Sequence, residues 1–151
     1  MGFLQNPILT NGNFLVTPEG GIAVKLINKT GSPSVKGMVV KNSPNTTNAV
    51  ELTDIAGAGL YMPIGVFYEN GKIDGDYCWV VISGIAYVYI TIGLAVDLGA
   101  GLRTSATTAG TTHQFTPTPA DDEHFREIGH TLESKTIADA NRLVRAVLHF
   151  N

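Results

Sequence analysis

Charge is scarce in this sequence. Asp, Glu, Lys and Arg make up 15% of the 151 residues, against about 25% in ordinary soluble domains. The basic residues are scattered and the net charge is −3, so the sequence lacks the basic patch that nucleic-acid binding requires. A free monomer needs charged surface to stay in solution. The low charge therefore favours an assembly in which other subunits cover apolar surface, and it predicts no nucleic-acid partner.

Cysteine and long apolar runs are also scarce. The single Cys78 excludes an intrachain disulfide, and no basic residue flanks it to activate its thiol. We therefore interpret it as a small buried side chain. Gly93 and Asp97 interrupt the longest apolar stretches, which predicts no membrane span and no membrane partner. Residues 1–15 lack the basic start and apolar run of a secretory signal, which predicts synthesis in the cytoplasm.

Catalytic and metal-binding motifs are missing from the sequence. It contains no Gly-x-Ser-x-Gly, and the glycines at 57 and 59 precede a strand instead of opening a helix, so no phosphate loop is predicted. The histidines at 113, 124, 130 and 149 lack the spacing of zinc ligands. His130 and His149 could meet across paired strands, which leaves open a metal-dependent β-barrel enzyme. Surface or packed imidazoles are the simpler interpretation. We expect no enzyme, no catalytic residue, no cofactor and no metal site.

What the sequence does contain is a β pattern. From Gly21 onward, β-branched and aromatic runs alternate with turn residues at a spacing of about 8–12 residues. The runs predicted as strands are residues 22–27, 37–41, 49–53, 60–68, 77–82, 85–92 and 142–150. Ser83-Gly84 is interpreted as a turn, and the Thr-, Ala- and Pro-rich residues 103–121 as a long surface loop with a short strand at its start. The pattern predicts an all-β fold, a compact β-barrel or β-sandwich domain of short strands.

Two segments match each other at an offset of 64 residues. The identical pairs are Ile64 and Ile128, Gly65 and Gly129, Glu69 and Glu133, Ile73 and Ile137, and Val80 and Val144. The same offset carries Gly37-Met38 onto Gly101-Leu102. In each copy an Ile-Gly strand is followed by a polar turn and an apolar strand. The match favours two similar β units that share one core, with chance similarity as the alternative.

The first 21 residues fit neither a helix period nor a strand alternation. They are polar and carry isolated apolar side chains, which is typical either of a loosely docked terminus or of an extended N-terminal arm. Such an arm orders on a partner by adding a strand to a sheet edge. The chain is thereby divided into an arm, residues 1–21, and a β-rich domain, residues 22–151. The candidate partner-binding residues of the arm are Phe3, Leu4, Ile8, Leu9, Phe14 and Leu15.

Residues 35–150 resemble the capsid decoration (head cement) proteins of tailed phages. The resemblance is carried by Pro63-Ile64-Gly65-Val66, by the stretch from Gly75-Asp76 through Ser83-Gly84-Ile85-Ala86, by residues 99–110, and by Ile128-Gly129-His130-Thr131-Leu132-Glu133-Ser134 before the final apolar strand. Two features depart from the family pattern: the long Thr/Pro-rich segment and the aromatic richness of residues 77–89.

This resemblance implies a structural role in the virion. It suggests a β-rich protein, usually a homotrimer, on the outer capsid surface, where it binds the major capsid protein. There it would stabilise the head against internal DNA pressure, with the arm as the strand-adding clamp. The family contributes no catalytic residue. A second hypothesis is a carbohydrate-binding or fibre-like head surface module, in which Trp79, Tyr87 or Tyr89 forms a stacking platform.

Overall fold

The computed structural model describes residues 12–54, 62–116 and 127–150, and all regular structure in these ranges is β. Its ten strands are β1 Phe14–Val16, β2 Gly21–Asn28, β3 Val39–Asn42, β4 Ala49–Leu52, β5 Pro63–Phe67, β6 Tyr77–Tyr89, β7 Gly101–Thr104, β8 Thr112–Phe115, β9 Glu127–Thr131 and β10 Leu143–Leu148. The predicted all-β class is confirmed. These ranges hold no helix of the length and apolarity that a bilayer crossing demands.

Five of the strands close into a barrel. They follow the order β2-β4-β3-β5-β6, and β6 pairs back onto β2 to complete the ring. β2 and β4 run parallel, whereas the other pairs of the ring are antiparallel. Of the two architectures that the sequence left open, the barrel is the one that forms.

Neighbouring residues of the barrel strands belong to two different apolar clusters. Val40, Phe67 and Val80 pack in one cluster, while Val39, Val66 and Val81 pack in the other. Because successive side chains of a strand point to opposite faces, these strands are covered on both sides. The second cluster continues into the strands of residues 101–148, so the barrel shares its outer wall with the rest of the domain.

The predicted turn at Ser83-Gly84 is wrong, because β6 runs through it without a break. Gly84 has a positive φ of +82°, and a Cβ there would collide with the carbonyl oxygen of Gly20. The partner strand β2 has a bulge between Ile22 and Ala23 at this point. The small residues allow a close backbone approach and a bend within one strand, a role that composition alone does not separate from a turn.

The strands after the bend repeat the pairing of the barrel. β10 pairs with β6 as β6 pairs with β2, β9 pairs with β10 as β5 pairs with β6, and β7 pairs with both β8 and β9 as β3 pairs with β4 and β5. A parallel bridge between Ile90 and Thr112 stands where the barrel has its parallel β2–β4 pair. The β3–β5 and β7–β9 pairs each have a register shift.

Individual contacts also repeat at the offset seen in the sequence. The pair Val24↔Val80 becomes Val88↔Val144, 64 residues later in both strands. The bond from Ile27 N to Asn48 O, 2.9 Å, becomes the bond from Thr91 N to Thr112 O, 2.8 Å. A Cβ on Gly65 or on Gly129 would meet a carbonyl oxygen of the neighbouring strand, that of Val81 or Val147. The structure therefore supports two similar β units.

One part of the repeat lies elsewhere than expected. Gly37 N donates to Phe67 O at 2.8 Å, and the corresponding donor in the second unit is Gly99, to Thr131 O at 3.0 Å. Gly37 thus matches Gly99 and not Gly101, since the second unit is two residues shorter before this strand.

The Thr-rich segment is more ordered than predicted. Instead of one long loop, residues 112–115 form β8, and Thr111 and Thr112 are buried. The hydroxyl of Thr91 bonds that of Thr111 at 2.7 Å, and the hydroxyl of Thr112 donates to Tyr89 O at 3.1 Å. These hydrogen bonds offset the cost of burying hydroxyl groups, and without that pairing a Thr-rich segment indicates a surface loop.

Candidate functional surface

The arm candidates Phe14 and Leu15 lie in β1, at one end of the sheet. β1 pairs antiparallel with β2, with Phe14 opposite Val24 and Leu15 opposite Ala23. Leu15 packs against the core, while Phe14 is largely exposed. Phe3, Leu4, Ile8 and Leu9 lie outside the described residues. Binding of a partner by the six residues stays a prediction.

The outer face of β1 and β2 carries an apolar patch, here called the edge patch, of Phe14, Val16 and Ile22. These side chains are 41–45% exposed. Val16 and Ile22 are directly opposite each other in the β1–β2 pair. An apolar strand at the end of a sheet is a template for pairing with another chain. The edge patch therefore has the chemistry of a protein–protein contact.

An open groove of about 370 Å³ adjoins the edge patch at Phe14. Its lining combines apolar, aromatic and amide side chains: Asn13, Phe14, Val24, Lys25, Leu26, Ile27, Thr47, Asn48 and Tyr77. The Lys25 ammonium lies 5.9 Å from the ring centre of Tyr77 and 5.5 Å from that of Trp79. The groove thus offers an exposed tyrosine with a cation beside it.

The proposed stacking aromatics are less accessible than a sugar platform requires. Trp79, Tyr87 and Tyr89 are each half-buried, and Trp79 packs against the core. The Lys36 ammonium lies 4.8 Å from the ring centre of Tyr87, where it also contacts Tyr68. A lysine that already lies over the ring competes with a stacked sugar. Tyr77 is the exposed aromatic residue of β6.

A second apolar surface, here called the loop patch, consists of Ile92, Leu94, Leu98 and Ile137, all exposed. Its two loops are joined by a backbone bridge between Val96 and Lys135. They are also joined by Arg142, whose guanidinium donates to the carbonyls of Thr91, Leu94, Thr136 and Asp139. Arg142 is 6% exposed. Sequence reasoning missed this residue, because one arginine at the start of a terminal strand carries no distinguishing signal.

Titratable groups outside these patches are mostly structural. Cys78 is buried as predicted, and burial raises the pKa of its thiol to about 12. His113 Nε2 accepts a hydrogen bond from Arg103 Nε at 2.9 Å. Burial, and secondarily the charge of Arg103, lowers the pKa of His113. His130 and His149 do meet across β9 and the end of β10, whereas His124 lies outside the described residues.

The geometry defines an all-β protein: a closed five-stranded barrel joined through one long strand to a second set of strands with the same pairing. No protein-family model matches the chain, and no curated protein matches it. A solved structure with a similar fold is that of the head fiber gp8.5 N base in bacteriophage phi29. The two share 19% sequence identity with a TM-score of 0.54, over 84% of this chain and 92% of that chain. At this identity the likeness concerns the fold.

Proposed function

We propose that this chain is a structural, non-catalytic protein of a phage head that acts through protein–protein contacts. The observation that carries the proposal is the shared fold with a phage head fiber base. Two further features support it: the low charge of the sequence and the two exposed apolar patches. Apolar surface with little surrounding charge favours association over a free monomer.

In the finer form of the proposal, the chain is a decoration protein on the outer capsid surface. It binds the major capsid protein and stabilises the head against internal DNA pressure. The resemblance of residues 35–150 to phage head decoration proteins supports this form. The edge patch, with the arm that precedes it, is the proposed contact, because an added strand would continue the sheet beyond β1.

A binding experiment tests the attachment. Heads of the encoding phage, prepared without this protein, are mixed with the purified chain and sedimented. We expect stoichiometric co-sedimentation and a higher temperature of head disruption. The variant Phe14→Ser/Val16→Ser should lose binding, while Ile73→Ser, an equally exposed change away from the edge patch, should keep it. Heads that ignore the wild-type protein would refute the proposal.

Self-association into a homotrimer is part of the same proposal. The loop patch is the candidate interface between copies, since its exposed side chains lie on loops that are held in place by Arg142. Light scattering after size-exclusion chromatography should give about three times the 16.0 kDa chain mass. Ile92→Ser/Leu98→Ser should dissociate the trimer without unfolding it. A monomer at high micromolar concentration would contradict this.

The alternative is a fibre-like or carbohydrate-binding head surface module. The head fiber title of the similar structure and the exposed Tyr77 beside Lys25 favour it. Sugars stack on exposed aromatic faces. A glycan array should then give a hit that Tyr77→Ala abolishes, and a blank array would leave the decoration form as the proposal.

A further inference from the structure

Glu127, His130 and His149 meet at the end of the second unit. Glu127 is the first residue of β9, His130 lies in the same strand, and His149 directly follows β10. The antiparallel β9–β10 pair places Val147 opposite His130 and Leu148 opposite Gly129. The backbone continues this pairing with a bond from His149 N to Ile128 O at 3.0 Å.

A bulge in β9 is what brings Glu127 and His130 to one side. In a regular strand, residues three apart point to opposite faces. Here Leu102 of β7 is opposite Gly129 and Arg103 is opposite Glu127, so that Ile128 is an extra residue. An extra residue resets the alternation of side chains. This is why the spacing of 127 and 130 gives no sign of the cluster in the sequence.

The three side chains are close enough to share one ion. His130 Nδ1 lies 2.9 Å from His149 Nε2, and the carboxylate oxygen Oε1 of Glu127 lies 3.5 Å from His149 Nε2 and 3.6 Å from His130 Nε2. One ligand atom from each residue falls within 4.8 Å of the others. Two ligands bound tetrahedrally to zinc at 2.0–2.1 Å are about 3.3 Å apart. The cluster therefore needs only side-chain adjustments to surround a metal ion.

Burial and access also suit a metal ion. The Glu127 side chain is 9% exposed, whereas the imidazoles of His130 and His149 are 51% and 41% exposed. A buried carboxylate is stabilised by a cation next to it. The exposed side of the imidazoles gives the ion a path from solvent.

We propose that Glu127, His130 and His149 form a binding site for a divalent transition metal ion such as Zn²⁺. Two imidazoles and one carboxylate are a donor set that zinc uses with a fourth position left to water. Imidazole ligands select against Ca²⁺ and Mg²⁺, which prefer oxygen. The ion would tie the start of β9 to the segment after β10, where two side chains now hold each other by a single hydrogen bond. The inference is independent of the proposed attachment to heads.

The test is a titration of the full chain, stripped with EDTA, with Zn²⁺ and separately with Ca²⁺. Isothermal calorimetry should give about one Zn²⁺ per chain, with a higher melting temperature, and no binding of Ca²⁺ at the same concentration. Co²⁺ should give the visible absorption of a four-coordinate site. His149→Gln and His130→Gln should weaken Zn²⁺ binding by at least about tenfold.

The matched control is His113→Gln, which removes a histidine of the second unit that bonds Arg103 and lies outside the cluster. It should bind Zn²⁺ as the wild type does. Glu127→Gln removes the buried ligand, and circular dichroism reports whether this variant folds. If it does not, the two exposed histidines still decide the matter. Folded wild-type protein that binds no Zn²⁺, equal binding by His149→Gln and His130→Gln, or equal binding of Ca²⁺ would each overturn the proposal.

Discussion

Replacing Arg142 tests whether one side chain holds two loops of the second unit together. Its guanidinium donates to Thr91 O at 3.0 Å and to Leu94 O in the first loop. In the second loop it donates to Thr136 O at 3.0 Å and to Asp139 O at 3.3 Å. Arg142→Met keeps much of the apolar stem and removes all of these donors.

The size of the effect follows from opposing contributions. Hydrogen bonds from a charged group contribute about 1.5–3 kcal/mol each, but the guanidinium loses hydration when it is buried, at a cost of several kcal/mol. Four carbonyls lose their donor in the variant, and water replaces part of it because both loops reach the surface. We expect a loss of about 3 kcal/mol in the free energy of unfolding, on the scale of one buried charge removed from its partners. Arg142→Lys should lose less, because an ammonium keeps the charge without the planar fork.

Urea denaturation monitored by Trp79 fluorescence measures these losses. Arg145→Met is the matched control, since the Arg145 side chain is half exposed and its Nε lies 3.6 Å from a carboxylate oxygen of Glu133. Exposed pairs of this kind contribute about 0–1 kcal/mol. If Arg142→Met is no less stable than Arg145→Met, the cost of burying the guanidinium cancels its hydrogen bonds, and the account of the two loops is wrong.

Three further predictions concern single residues. Gly129→Ala should destabilise the fold by at least about 2 kcal/mol in urea, because its Cβ would collide with Val147 O, whereas Gly71→Ala, with open space around it, should cost only the strain of its positive φ, about 1 kcal/mol; equal losses would contradict the close approach. Cys78, with its thiol pKa raised by burial to about 12, should react with a thiol reagent only on unfolding, and rapid labelling of the native protein would refute this. The lowered pKa of His113 means that the unfolded chain binds more protons, so stability should fall as the pH drops through about 6.5, and His113→Gln should flatten that slope in urea melts at several pH values; an unchanged slope would show that another group is responsible.

The sequence predicts the fold class and the repeat because both depend on local patterns. Ile64-Gly65 and Ile128-Gly129 mark equivalent strands, and the glycine in each allows the next backbone to come close. Glu69 and Glu133 are also equivalent: each accepts a backbone N–H, from Trp79 at 3.3 Å and from Arg145 at 2.9 Å. Residues that recur for such reasons are visible in the sequence even where overall identity is low.

The remaining features depend on partners that are distant in the sequence. Thr111 is buried because Thr91 bonds it, and the sequence shows only a Thr-rich stretch. The cluster of Glu127, His130 and His149 depends on a bulge whose position is set by pairing with β7. Ser83-Gly84 has the composition of a turn, and the closeness of Gly20 keeps the strand continuous. Such effects appear only once the strands are paired.

The thirteen residues of β6 have a mechanical consequence. Its first half closes the barrel against β2, and its second half pairs with β10 in the other unit. The two units are thus linked by continuous backbone and by hydrogen bonds along both halves, with no flexible linker to act as a hinge. A pulling force on either unit passes directly into the other, so we expect the domain to resist strain and to rupture as one cooperative body.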